Sequence, residues 1–179
     1  MKELSLHILD IAQNSLSAGA HRLVLSLEEG PDLLRLVLSD DGRGMPPGLL
    51  ATAADPFTTT RTTRRVGMGL PFLLLAARQT GGSVELESHP GEGTSVTACF
   101  RPGHIDCPPL GDMASTISLL VQGLPEETEL TYIHSTPRGS FRFDTGEVRT
   151  VLGPGVPLSD PEVTLWVRAY VIEGEERLS

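Results

Sequence analysis

The stretch "SDDGRGM", Ser39 to Met45, sets two adjacent carboxylates and two glycines directly after an apolar run. That run, "LLRLVLSD", and the "RLVLSLEE" before it read as strands joined through "EGPD", where glycine and proline suit a turn. Asp40 therefore stands at a strand end, with the backbone about to change direction. Gly42 and Gly44 lack a Cβ, so the chain can take unusual dihedrals there and a flat ligand can approach the backbone closely. A carboxylate in that place can accept an amine. The same residues standing alone also describe an ordinary polar turn.

Upstream, from Glu3 to Ala18, Leu4, Ile8, Ile11, Ala12 and Leu16 recur at helical spacing and predict a helix with one core face. His7, Asp10, Asn14 and Ser17 form a polar stripe on another face, which is either solvated or lines a site. Downstream, "DPFTTTRTTRRVGMGLPFLLLAARQTGG" runs from Asp55 to Gly82 and changes halfway from hydroxyls and arginines to a helix that ends near Thr80. Gly67, Met68 and Gly69 open that helix. Unpaired N–H groups, a positive dipole end and missing side chains suit phosphates at such a place. "SVELES" and "SVTACF" then alternate like a hairpin turning through "HPGEGT".

The whole chain has 179 residues, 39% of them hydrophobic, enough for one good core or a core with a small appendage. Its longest apolar runs fall far short of the roughly 20 residues of a membrane span. The N-terminus shows no small-residue cleavage site after an apolar stretch, so a cytoplasmic protein is expected. Two cysteines and five scattered histidines form neither a disulfide framework nor a zinc pattern, and reduced thiols without zinc are expected. A net charge of −9 argues against nucleic acid as a partner. Residues 1–103 carry nine Lys and Arg against eleven Asp and Glu, whereas residues 104–179 carry five against twelve. Between them lies the proline- and glycine-rich "RPGHIDCPPLGD", and the boundary between two units is placed near Gly103.

With these pieces in this order, residues 3 to 101 resemble the GHKL superfamily of ATP-binding domains, named for gyrase, the heat-shock chaperone, histidine kinases and the mismatch-repair ATPase. "DIAQNSLSAGA" resembles the N box, with Asn14 at the magnesium-binding asparagine and Asp10 where the family usually has its catalytic glutamate. "DDGRGM" resembles the first glycine box. It implies Asp40 as the adenine-reading carboxylate, with Gly42, Gly44 and Met45 beside the nucleotide. "DPFTTTR" resembles the approach to the ATP lid, and "VGMGLPFLLLAA" the second glycine box. These imply phosphate contacts from Thr59, Thr60, Arg61, Gly67, Met68, Gly69 and Leu70. "GEGTSV" resembles the last glycine box, with Thr94 supporting the adenine end.

The fold implied is an α/β two-layer sandwich of Bergerat type, a mixed sheet with helices on one face, followed by a small α+β unit. ATP and Mg2+ are the implied ligands. Other nucleotide schemes lack their signatures here, since no GxxxxGK[ST], strand-linked GxGxxG, HRD or DFG occurs. No H-E/D-x-R phosphoacceptor pattern precedes the domain, so a free-standing ATP-binding domain is expected. Asp10 is one methylene shorter than glutamate, and turnover is expected to be slow because base positioning is geometry first.

In residues 104–179, "MASTISLLVQGL" predicts a helix and "ELTYIHS" and "GSFRFDT" two strands. "SDPEVTLWVRAYVIEGEERL" predicts a last helix capped by Ser159 or Asp160, with Val163, Trp166, Val167 and Tyr170 in the core. Two readings follow. One is an enzyme that hydrolyses ATP or passes its γ-phosphate to a regulatory protein partner, as histidine kinases and anti-sigma serine kinases do. The other is a sensor that binds ATP or ADP without turnover and reports through its C-terminal unit.

Overall fold

A computed structural model describes residues 3–53 and 69–179. Among them, α1 (Leu4–Ser17) leads into the hairpin β1 (Arg22–Glu29) and β2 (Leu34–Asp40), followed by the short helix α2 (Pro47–Ala53). Next come α3 (Gly69–Gln79), the hairpin β3 (Ser83–His89) and β4 (Gly93–Phe100), and α4 (Met113–Gln122). The chain ends with β5 (Glu129–Thr136), β6 (Gly139–Asp144), α5 (Thr145–Leu152) and α6 (Pro161–Glu176). The described strands make one six-stranded sheet in the order β3-β4-β2-β1-β5-β6, in which β1 and β5 are parallel and every other pair is antiparallel.

Strict alternation puts one apolar phase of each strand on the same face, as a period of two requires. Registration makes rows across the sheet, and the middle row reads Leu86, Val96, Leu38, Leu25, Tyr132, Phe143 from β3 to β6. Helices cover that face in a matching sequence, with α3 against α1, α1 against α4 and α4 against α6. The result is the two-layer α/β sandwich expected, with a mixed sheet and its helices on one face. Strands on both sides of Gly103 belong to the same sheet, and the buried core runs without a break from Leu73 in α3 to Val167 in α6.

The proline-rich segment between β4 and α4 has a local task. The first turn of α1 receives no side-chain cap from Glu3, and its orphan amides instead find the linker: Leu4 N–H donates to the Pro109 carbonyl (3.0 Å) and Ser5 N–H to that of Leu110 (2.9 Å). Three later helices begin on aspartate caps: Asp112 accepts from the Ser115 amide, Asp144 from Gly146 and Glu147, and Asp160 from Glu162.

The structure corrects the reading of the last helix. Val163 and Val167 are buried as expected, but Trp166 is 50% exposed and Tyr170 40%. Helical spacing alone does not choose a phase when the opposite face is apolar too, and contact with α4 selects Val163, Val167 and Val171. Two short helices, α2 and α5, form where the sequence pattern predicts neither helix nor strand, Thr145 apart.

Candidate functional site

At one corner of the buried face the apolar phase turns polar. The row next to the middle one reads Ser88, Thr94, Asp40, Leu23, Leu130 across β3, β4, β2, β1 and β5. Its first three members carry oxygen, and above them the helix layer leaves a pocket of about 160 Å³, some five times the ~30 Å³ share of one liquid water. Its walls are Ile11, Leu70, Leu86 and Val96, with Met45, Leu49 and Ala53 at one side and Asn14, Asp40 and Thr94 as polar members.

The two carboxylates of "SDDGRGM" have separate roles. Asp40 faces the pocket, where one oxygen accepts from the Ser15 hydroxyl (2.6 Å) and the other from the Gly42 amide (2.9 Å). Asp41 points outward and accepts from the backbone amides of His21 (2.8 Å) and Arg22 (2.7 Å), which pins the loop to the start of β1. Burial opposes its charge, but these backbone bonds prevail and hold its carboxyl below the usual carboxylate range.

Glycine is needed where the loop crosses its neighbours. Gly42 sits so close that a Cβ would lie 2.9 Å from the Asp40 carboxylate and 3.1 Å from the Ala18 carbonyl oxygen. At Gly93 φ is +107° and a Cβ would run into the Asp40 carbonyl oxygen, so only glycine lets β4 begin against the end of β2. Ser88 organises the rest of the corner. Its buried hydroxyl takes the Met45 amide (2.8 Å), donates to the Gly93 carbonyl (3.0 Å) and lies 2.8 Å from the Thr94 hydroxyl.

Asn14, Asp40, Gly44, Met45, Leu70 and Thr94 thus line one pocket, with Gly42 in the loop beneath them. Asp10 does not line it: Gly69, the first residue of α3, packs against it so tightly that a Cβ there would lie 2.7 Å from that of Asp10. Of the rest of the polar stripe, Ser17 is exposed and His7 is buried beside Phe72, with ring centroids 6.3 Å apart. The His7 Nδ1 finds no hydrogen-bond partner among the described residues, and burial lowers the ring's affinity for a proton. Thr59, Thr60, Arg61, Gly67 and Met68 lie outside the described residues. Sequence reading missed Ser15, Arg43, Leu86 and Ser88; for Ser88 the signal is a serine on the inward phase of a strand whose other inward residues are Val84 and Leu86.

Residues 2–104 match the family described as histidine kinase-, DNA gyrase B-, and HSP90-like ATPase. The chain belongs to this family. Within it, a sensor protein kinase, FleS of Pseudomonas aeruginosa, is 40% identical over 92 residues, covering 50% of this chain and 23% of FleS. A probable C4-dicarboxylate sensor kinase of Bacillus subtilis is 30% identical over 79 residues, 44% of this chain and 15% of that protein. The chain therefore spans less than a quarter of the length of these curated relatives. A crystal structure of the N-terminal domain of a DNA repair protein superposes with a TM-score of 0.53 at 13% identity, over 87% of this chain and 58% of that one. That likeness concerns the fold, and at 87% of the chain it covers more than the 2–104 match. Membership of this ATPase family supports nucleotide binding. Among the described residues no helix is long and apolar enough to cross a membrane.

Proposed function

We propose that the chain binds Mg-ATP in this pocket and slowly hydrolyses it, or transfers its γ-phosphate to a regulatory protein partner in the cytoplasm. The observation that carries the reading is Asp40, a carboxylate fixed by the Ser15 hydroxyl and the Gly42 amide at the polar end of an otherwise apolar pocket. Each of its oxygens has a lone pair left after those bonds, so it can accept the exocyclic amine of adenine while Ile11, Leu86 and Val96 face the ring. Gly42 and Gly44 let the loop pass close to the Ala18 and His89 carbonyls, and the Ser88 and Thr94 hydroxyls hold the floor beneath the base.

Asn14 would hold Mg2+ through its amide oxygen, since it lines the pocket from α1. Mg2+, when bound, neutralises phosphate charge. Asp10, one turn before Asn14, is the residue to take the proton of an attacking water or acceptor hydroxyl as the bond to the γ-phosphorus forms and that to the β-phosphate breaks. Its place at the α1–α3 crossing, off the pocket lining, also favours a second reading: nucleotide is bound and reported without turnover.

Calorimetric titration and phosphate release on two variants test both. Asp40→Asn loses a charge-assisted hydrogen bond of about 1.5–3 kcal/mol and is expected to weaken ATP at least ~10-fold. Asp10→Asn is expected to keep affinity and lose turnover. Parent-like ATP binding by Asp40→Asn removes the adenine assignment; undiminished turnover by Asp10→Asn removes the base; a parent without turnover leaves the sensor.

A further inference from the structure

α6 is apolar on two opposite faces. Val163, Val167 and Val171 go to the core, while Leu165 (69% exposed), Trp166, Ala169, Tyr170 and Ile172 face outward. An exposed cluster of large apolar side chains rimmed by polar ones marks an interaction surface. The outward face is also preorganised: Trp166 stacks on Tyr170 with centroids 5.1 Å apart and planes 17° from parallel, and Tyr170 rests on Phe141 and Phe143. Beside the stack, α5 and α6 enclose a groove of about 450 Å³ lined by Phe143, Val148, Val151 and Leu152, and Val151 at its edge is 86% exposed.

The charges around this face are acidic. Glu162 stands at its N-terminal end and Glu173 and Glu176 at its C-terminal end. Nearby cations are already engaged: Arg142 by Asp144 and Glu147, Arg168 by Ser115 and Asp112, and Arg177 by Glu173. Glu162 and Glu176 have no ion pair among the described residues. A second copy is a poor occupant, because an antiparallel α6 pair centred on the aromatic stack sets Glu162 against Glu173 and Glu176 of the other chain, and like charges across an interface repel. We propose that the outward face of α6 and its groove form the docking surface for a basic amphipathic helix of a partner protein, with apolar side chains on the Trp166–Tyr170 stack and lysines or arginines against the acidic ends. This is helix-in-groove recognition with charge fixing the register.

Trp166 is the chain's one tryptophan and reports directly. The probe is a synthetic leucine/lysine amphipathic helix of about 18 residues, five turns, added to the full chain. It is compared with the same peptide carrying glutamate for lysine, and with one carrying serine for leucine. Expected are a blue shift of Trp166 emission with the leucine/lysine peptide alone, loss of binding in Leu165→Ser/Tyr170→Ser, and ~10-fold weakening in Glu162→Lys/Glu176→Lys. Unchanged melting of both variants separates lost docking from lost folding. No shift, or binding indifferent to the charge swap, overturns the proposal. So does light scattering that finds a dimer which Leu165→Ser/Tyr170→Ser dissociates, since the occupant is then a second copy.

Discussion

Opposite corners of the sheet's buried face both carry polar groups, and the helix layer treats them in opposite ways. At the β3-β4-β2 corner, Asp40 and Thr94 line a gap beside Ser88, and Asp40 keeps lone pairs without a partner among the described residues. At the β1-β5 corner His134 stands on the phase of Leu130 and Tyr132, but α6 closes over it with its own countercharge. Its Nδ1 donates to Glu175 (2.8 Å) and its Nε2 to Glu29 (2.9 Å), while the Tyr132 hydroxyl donates to the other Glu175 oxygen (2.8 Å). Carboxylates only accept, so both ring nitrogens must carry protons and the ring is an imidazolium. The difference teaches how one pleated face yields both a site and a clasp. A polar group beneath an opening is left unsaturated for a ligand, and one beneath a helix is saturated by the chain itself.

The largest effect is expected from removing residues 104–179. That deletion strips β5 from β1 and α4 from α1, leaving Leu23, Leu25 and Leu27 under an open layer and the α1 amides without the Pro109 and Leu110 carbonyls. The loss is comparable with the whole stability of a domain, about 5 kcal/mol or more. Circular dichroism should show no cooperative melt. A truncated chain melting like the parent would break the view that one sheet serves both corners.

Next comes the clasp. Burial pulls the His134 proton off, but the hydrogen bonds and charges of Glu175 and Glu29 outweigh it and hold the ring above the usual histidine range. Because the folded-state value is raised, this stabilisation is complete below an ordinary histidine value near 6.5 and fades as pH rises through the raised one. His134→Gln is expected to cost about 2–3 kcal/mol in acid, discounted for the half-open Glu29, and its urea midpoint should converge on the parent's as pH rises. A constant gap from pH 6 to about 9 would show that the imidazolium is not what holds α6.

The smallest effect sharpens the open corner. Ser88→Ala leaves the partly buried Met45 amide without its acceptor and should cost about 1–2 kcal/mol in urea, with ATP affinity reduced through the displaced Met45–Thr94 floor. Loss of stability without any change in affinity would separate Ser88 from the pocket.

The open corner was legible because its residues are chemically unusual and close in sequence. "SDDGRGM" places Asp40 and its glycines together, and Asn14, Leu70 and Thr94 come from equally compact motifs. Partners that a single motif does not contain were hidden: Ser15 from α1 and Ser88 from β3 reach Asp40 and Met45 only through the fold. Both Ser88 and His134 do leave one trace, a polar residue on the inward phase of an otherwise apolar strand. Parallel pairing of β1 with β5 leaves none, since its register is fixed by distant chain rather than by a turn. The phase of α6 was misread because Trp166 and Tyr170 recur with Val163 and Val167 at helical spacing as regularly as Val171 does, and only contact with α4 decides which of them is buried.

That parallel pairing also sets a schedule. Thr128 meets the Ala20 carbonyl across 108 residues of chain, and Arg22 is registered with Glu129. At about 5–20 residues per second, a ribosome exposes β1 for roughly 5–20 s before its neighbour is made. Throughout that interval the hairpin partner β2 covers one side of the strand while the other presents bare amides and carbonyls beside three leucines. A chain stalled before Glu129 is consequently the form of this protein most open to edge-to-edge aggregation.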